Sequence, residues 1–426
     1  MNWQQPIPAS YIQMSDDELM TRIAARKAAF GERLVILGHH YQQDAVIRFA
    51  DVIGDSFQLS RDAAKLTKAE YVIFCGVHFM AESADILTGP HQKVILPDLG
   101  AGCSMADMAQ LDDVLEAWDV IHDVCASTPD LKVVPITYMN SSAAIKSFVG
   151  EHGGAVCTSS NCEKILRWAL GDSGGGGGAT MQAARGDASQ HLETGHSELE
   201  TSAETPPVKV MFFPDQHLGR NTAYAMGYPL DAMVTWDYRK PMGGLTEAQI
   251  RAATFFLWKG HCSVHQLFRP EHIDDVRAKI PGVKVIVHPE CRWEVVQKAD
   301  LSGSTDLIGK TIAAAPAGSA WAVGTEVHMV NRLAQQYPDK RIVILSDCQC
   351  LCTTMYRIDP PHLLWILDQL ADGHVVNQIE VDQRTKYWSK VSLQRMLDIT
   401  AGVPVSAPID PPPSEKRAAL RVLSHA

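Results

Sequence analysis

No stretch of the chain approaches the roughly 20 consecutive apolar residues that cross a bilayer, so nothing in it predicts a membrane span. Positive charge is short as well. Lys and Arg number 38 against 49 Asp and Glu, a formal net of -11, which argues against a general affinity for nucleic acid or anionic membrane surfaces. The first residues, Met1 to Tyr11, carry neither a basic n-region nor an apolar h-region, so no secretory signal is visible and the expected compartment is the cytoplasm. That compartment is reducing, and ten cysteines there do not predict a disulfide framework. Thiolate chemistry or metal binding is the better use for some of them. Paired, closely spaced knuckles of the structural-zinc kind are missing, because several of the cysteines stand singly and far apart.

What is present is an α/β pattern across 426 residues, enough chain for two or three packed domains. Short β-branched runs predict strands at 33–37, 71–74, 93–96, 132–137, 209–213, 283–287 and 341–345, most of them continuous in the manner of buried parallel strands. Three of these run into polar triplets, His39-His40-Tyr41, Tyr138-Met139-Asn140 and His288-Pro289-Glu290. Three others run into acidic loops, Leu96-Pro97-Asp98, Phe213-Pro214-Asp215 and Leu345-Ser346-Asp347. The pattern predicts an internal threefold repeat. Loops at the carboxyl ends of parallel strands gather ligands, so three such units facing inward would pool their triplets in one site. Between 171 and 207 the composition turns to Gly, Ser, Thr, Ala and Glu, with five consecutive glycines from Gly174 and six acidic residues against Arg185 alone. This reads as a disordered insertion. Pro404 to Pro413 reads as a tail.

Cysteines stand in three glycine- or small-residue loops: Gly102-Cys103-Ser104, Gly260-His261-Cys262-Ser263, and Cys348-Gln349-Cys350-Leu351-Cys352. An iron-sulfur cluster tolerates ligands from such distant loops, and three thiolates would leave one iron open to substrate as a Lewis acid. Buried thiols, or a redox-active pair within Cys348 to Cys352, are the competing readings.

Read together, the motifs resemble the quinolinate synthase family, the iron-sulfur enzymes of de novo NAD synthesis. The likeness runs in order through Gly38-His39-His40-Tyr41-Gln42, Gly54-Asp55-Ser56, Gly102 to Asp107, Tyr138-Met139-Asn140 and Cys157-Thr158-Ser159-Ser160-Asn161. It continues through Gly260 to His265, His288-Pro289-Glu290-Cys291, Gly303-Ser304-Thr305 and Cys348 to Met355. The resemblance implies three similar αβα domains with parallel sheets around a pseudo-threefold axis. The corresponding units are 20–115, 116–242 with the insertion, and 243–398, followed by a tail at 399–426.

It also implies one 4Fe-4S cluster held by Cys103, Cys262 and Cys352, with Cys350 and then Cys348 as competitors for the third place. The implied reaction condenses iminoaspartate with dihydroxyacetone phosphate to quinolinate, phosphate and water, with a functional link to L-aspartate oxidase. The catalytic candidates are Glu290, His39, Tyr41 and His265, with Glu290 expected to have its pKa moved toward neutrality. Substrate-binding candidates are His39, Ser56, Tyr138, Asn140, Ser159, His265, His288, Glu290 and Thr305. Ser56, Ser159 and Thr305 each precede or begin a predicted helix, where hydroxyls and free N-H groups suit phosphate or carboxylate. Neither a nucleic acid nor a membrane is an expected partner, and a monomer or a homodimer is expected. Two rivals remain at this point: another 4Fe-4S hydro-lyase, and a cluster-binding redox sensor without turnover.

Overall fold

Runs of Val, Ile, Leu and Phe form the inner strands of three sheets, and a strand covered on both faces requires such continuous apolar runs. The structure, a computed structural model, describes residues 4, 6–171, 181–182, 207–346 and 350–406. The first sheet holds β1 (Leu34–His39), β2 (Val52–Gly54), β3 (Tyr71–Cys75) and β4 (Lys93–Ile95). The second holds β5 (Lys132–Tyr138), β6 (Ala155–Cys157), β7 (Val208–Phe213), β8 (Met233–Trp236) and β9 (Phe255–Trp258). The third holds β10 (Lys284–Val287), β11 (Leu301–Ser302), β12 (Ala320–Gly324) and β13 (Arg341–Ile344). Every pairing among these strands is parallel. Two short antiparallel edges complete the sheets: β14 (Gln378–Ile379) on β4, and Met181–Gln182 on β11.

The spatial orders are β2-β1-β3-β4, β6-β5-β7-β9-β8 and β11-β10-β12-β13. Each unit thus puts its second strand at one edge, its first beside it and its third next. In the second sheet β9 takes the place that the fourth strand holds in the others. One topology is used three times, as the repeated triplets predicted. The seven predicted strands are all present, with ends moved by one or two residues. The acidic loops do not repeat in the same way. Asp98 follows the last strand of its unit, whereas Asp215 follows the third strand of the second unit and caps helix Gln216–Ala225. Asp347 and Cys348 lie outside the described residues, as do 172–180, 183–206 and 407–426 of the expected insertion and tail.

Both faces of each inner strand are covered. In the second sheet Val134, Ile136, Phe212 and Leu257 pack on one side while Val133, Met211, Phe213 and Phe256 pack on the other, the alternation a pleated strand imposes. Helix Asp16–Phe30 covers the first sheet. It starts at Ser15, whose Oγ accepts the Glu18 N-H, and three acidic residues occupy its positive end. Beside it lies helix Pro360–Ala371, tied to it by Arg22 and Arg26 on Asp368 at 2.8 and 2.6 Å. The units therefore exchange chain. β9, from the stretch 243–398, belongs to the second sheet; helix Pro360–Ala371 and β14 join the first; and helix Gln383–Ala401 packs on helix Ala143–Glu151 of the second.

Candidate active site

Three parallel sheets deliver three classes of loop to one place. Loops after the first strands β1, β5 and β10 carry His39 and Tyr41, Tyr138 and Asn140, and His288 and Glu290. Those after the second strands β2, β6 and β11 carry Ser56, Ser159 and Thr305. Those after the last strands β4, β9 and β13 carry Cys103, Cys262 with His265, and Cys352. All thirteen line a single cavity with an empty volume of about 700 Å³, open solvent at its mouth included.

Side chains from neighbouring units hold these loops. Arg332 of the third unit donates to the carbonyls of His40 and Gln42 and pairs with Asp44 at 2.7 Å, fixing the loop of His39 and Tyr41. Asn221 of the second unit donates to the carbonyls of Pro289 and Cys291, both at 2.8 Å, on either side of Glu290. Trp258 Nε1 donates to Met108 O at 2.7 Å, just beyond the Cys103 loop.

Each of the three thiols starts one turn of helix. Backbone N-H groups four residues on, at Asp107, Gln266 and Tyr356, each donate to the carbonyl of Cys103, Cys262 or Cys352 at 3.0 Å. The turns then aim N-H groups at sulfur: Ala106 and Met105 at Cys103, His265 at Cys262, and Thr354 and Met355 at Cys352. Burial pushes all three thiols up, Cys103 to about 12, and these N-H groups pull the other way. Without a cation nearby the thiols stay protonated; with one, each sulfur already has donors for its negative charge. This donor set fits a group held by three thiolates. These three are also the only described cysteines that are not buried. Cys350 lies in the core of the third unit and does not reach the cavity. Cys-Ser or Cys-Thr at 103, 262 and 352 was a legible sign of the repeated turn.

Beside the thiols stands a buried polar network. His265 Nδ1 lies 2.9 Å from Glu290 Oε2, and its Nε2 lies 3.1 Å from Thr325 Oγ1, which in turn is 3.0 Å from Tyr41 Oη. Tyr138 also hydrogen-bonds Glu290. Donor atoms of Cys262, His265 and Glu290 lie within 4.8 Å of one another, close enough for a single ion. Both His265 nitrogens are already committed to Glu290 and Thr325, so the three thiols are the better metal-holding set.

Glu290 departs from the expected direction. Burial does push its carboxyl up, but the imidazoles of His265 and His288, with hydrogen bonds from His265 and Tyr138, hold it at about 2. The group is an ionised proton acceptor rather than one poised near neutrality. His39 and His288 are alike in geometry: each ring Nδ1 accepts the N-H of the residue two positions on, Tyr41 at 3.1 Å and Glu290 at 3.3 Å. Burial lowers both pKa values, His288 to about 3, so each is a neutral imidazole whose Nε2 carries the proton. Tyr41 and Tyr138 are pushed well above the usual phenol range by burial and by Glu290, and remain O-H donors.

Ser56 and Thr305 are the first residues of helices Ser56–Lys65 and Thr305–Ala314, while the capping is done one residue earlier by Asp55 and Ser304. Their hydroxyls are left to the cavity. Ser159 sits in the turn before helix Cys162–Ala169, with Thr158 beside it on the same wall. Thr325 is the residue the sequence did not single out. It is fully buried at the end of β12, and a lone threonine after a strand carries no sign of the two partners that meet on it.

Comparison with known proteins agrees with this layout. A model of the family described as Quinolinate synthetase A protein matches residues 21–174 and 199–398. A quinolinate synthase of Nocardioides sp. is 54% identical over 391 residues, covering 92% of this chain and 91% of its own length. Those of Acidobacterium capsulatum and Streptomyces coelicolor are each 51% identical, covering 91% and 92% of this chain and 95% and 90% of their own. With two stretches of the family model spanning all three sheets and half the residues shared with such relatives, the chain belongs to the quinolinate synthase family.

Proposed function

We propose that this protein condenses iminoaspartate with dihydroxyacetone phosphate to quinolinate, phosphate and water, a step of NAD synthesis, with a 4Fe-4S cluster held by Cys103, Cys262 and Cys352. The observation that carries the reading is the meeting of three N-H-supported thiols with a buried acid-base network at one cavity. When bound, the cluster supplies an iron without a protein ligand, a Lewis acid.

The chain's own groups divide the remaining work. Substrate carboxylates and the phosphate are anions, and they meet the hydroxyls of Ser56 and Thr305 at helix starts, the hydroxyl of Ser159 in the turn before a helix, and the amide of Asn140. His39 and His288 offer neutral Nε2-H donors to carbonyl and carboxylate oxygens without carrying a charge that would trap a product. Glu290, ionised and hydrogen-bonded to His265, takes protons in the carbon-carbon and dehydration steps, and the chain from His265 through Thr325 to Tyr41 passes a proton on as the Tyr41 O-H gives its own to a leaving oxygen in the cavity. Burial of the network keeps water from competing with the unstable imine.

The chemistry of that imine calls for a supplier that oxidises L-aspartate, and we assign the partner reaction to an L-aspartate oxidase. We place the enzyme in the reducing cytoplasm, which suits the nine free thiols among the described residues, and expect a monomer or homodimer. The test is an anaerobic assay of reconstituted protein, with freshly generated iminoaspartate and dihydroxyacetone phosphate, quinolinate detected directly, and iron and sulfide counted in parallel. Quinolinate together with about four irons per chain is expected. A full cluster without quinolinate would move the assignment to a hydro-lyase or a redox sensor.

A further inference from the structure

Of the aspartates that follow strands, Asp98 has no part in the chemistry above. It stands five residues before Cys103, and Arg357 stands five residues after Cys352. The two meet, with Arg357 Nε donating to Asp98 Oδ2 at 2.9 Å. The other carboxylate oxygen, Oδ1, accepts the Gly100 N-H of its own loop at 2.7 Å, and the Asp98 carbonyl accepts the Ala101 N-H at 3.0 Å. One side chain thus closes the turn that leads to Cys103 and grips the turn that leaves Cys352.

The partners differ in exposure. The Asp98 side chain is 4% exposed and that of Arg357 is 53% exposed. A buried carboxylate has lost its water and depends on the donors it has, whereas a half-exposed guanidinium keeps much of its hydration while serving it. Glycine is part of the contact. A Cβ on Gly100 would come within 2.8 to 3.0 Å of Nη2, Nε and Cζ of Arg357, so the guanidinium lies against bare backbone. Gly100 has no positive φ, and it is this close approach that calls for glycine there. Two further bonds fix the far side of the same turn: Gln42 Nε2 donates to Met355 O and Gln43 Nε2 to Ile358 O, both at 3.0 Å. They tie the Cys352 turn to the loop of His39 and Tyr41, and the Asp98–Arg357 pair ties it to the loop of Cys103.

We propose that the Asp98–Arg357 pair sets the spacing between the Cys103 and Cys352 thiols and so governs how firmly iron is kept. This rests on the 4Fe-4S reading of the three thiols. Neither residue lines the cavity, so both are positioning residues. Partners outside a ligand set orient the ligands, and losing one weakens the hold on metal. With three thiolates from three loops, slack between two of the loops frees one corner of the group they share.

The test uses anaerobically reconstituted, full-length protein, with iron followed as it passes to a chelator and the urea midpoint of the cluster-free protein measured beside it. Arg357→Met is expected to release iron several-fold faster than the wild type. Arg357→Lys keeps a cation within reach of Asp98 and is expected to recover much of the difference. Gly100→Ala keeps both charges but displaces the guanidinium, whose far end is free to swing, and should speed iron loss as well. Arg33→Met breaks the 2.6 Å pair with Glu70 at the opposite end of β1 and β3, and should leave iron loss unchanged.

Iron loss from Arg357→Met equal to that of the wild type overturns the proposal. So does a faster loss that Arg33→Met reproduces, or one matched by a fall in the urea midpoint of the cluster-free protein, because general stability then accounts for it. Should Arg357→Met not fold, unchanged iron loss from Gly100→Ala does the same. Failure of the wild-type protein to take up any cluster strikes the reading of the three thiols instead, so the two failures are distinguishable.

Discussion

A threonine outside the cavity holds together two residues inside it. Thr325 Oγ1 stands between Tyr41 Oη and His265 Nε2; Thr325 and His265 are buried and Tyr41 is half-buried. Thr325→Val keeps the shape and strands both partners, at about 1–3 kcal/mol for each unpaired group. We expect turnover to fall by about tenfold or more, with iron content unchanged, since one broken partner of that size already corresponds to a factor of ten. Loss of iron in this variant would place Thr325 among the groups that keep the metal.

The cysteines allow a cleaner contrast. Cys352→Ala is expected to abolish cluster binding, as are Cys103→Ala and Cys262→Ala, while Cys350→Ala keeps the cluster and loses only packing in the core of the third unit. Iron and sulfide counts check all four.

His217 gives a pH test at a residue that does not line the cavity. Burial lowers its pKa from 6.5 to about 4, and its Nδ1 has no partner, so the fold keeps it neutral. The unfolded chain takes up the proton below 6.5, hence this contribution is complete above that pH and shrinks as pH falls toward 4, by up to about 1.4 kcal/mol per unit. Urea midpoints at pH 7 and pH 5 should diverge more in the wild type than in His217→Asn, which has no proton to gain.

At the scale of elements, the loop bearing Cys262 depends on a glycine for contact rather than for flexibility. A Cβ on Gly260 would lie 2.2 Å from Pro214 O, a backbone atom held by the Asp215–Gly260 bridge. Gly260→Ala must push the loop away from the Asp215 turn. We expect about 1–3 kcal/mol of destabilisation and a lowered iron content. Gly309, in the middle of helix Thr305–Ala314, has nothing within 4 Å of its missing Cβ, and Gly309→Ala should stabilise by about 0.5–1 kcal/mol. Thermal melts of the two variants carry opposite signs.

The same scale shows what the sequence could tell. Seven strands announced themselves as apolar runs containing Val or Ile, while β8 and β9, four residues each, went unpredicted; the triplets after β1, β5 and β10 were visible because each follows such a run. β2, β6 and β11 are only two or three residues long, too short for any period, and were not predicted as strands, although the Ser and Thr that follow them were singled out. β12 reads Ala-Trp-Ala-Val-Gly and lacks the branched signature, so Thr325 at its end was missed with it. The acidic trio misled because Asp215 and Asp98 share a local pattern of strand, proline and aspartate without sharing a place in the repeat. The ionisation of Glu290 was out of reach, since it depends on partners from three separate loops.

For the whole molecule, the last described helix is a structural member of an earlier unit. Helix Gln383–Ala401 lies so close to helix Ala143–Glu151 that a Cβ on Gly150 would strike the Trp388 carbonyl. Ser389, Ser392 and Arg395 donate to the carbonyls of Ala143, Lys146 and Gly150 across that seam, and Arg384 pairs with Glu151. Truncation before Gln383 should therefore uncover the second unit and melt the site assembled at its strand ends, not merely shorten the third. A fall in melting temperature together with loss of iron would be the sign, and retention of both would show the helix to be dispensable.

The three thiols come from the last strand of each sheet, and no two of them are neighbours in the chain. The one short-spaced cysteine group, Cys348-Gln349-Cys350-Leu351-Cys352, is also the last of the three loops to be synthesised. If these thiols hold the proposed cluster, capture waits until the third sheet has been synthesised and docked, which makes the metal centre a late inspection of assembly, passed only by a chain whose three parts have already met.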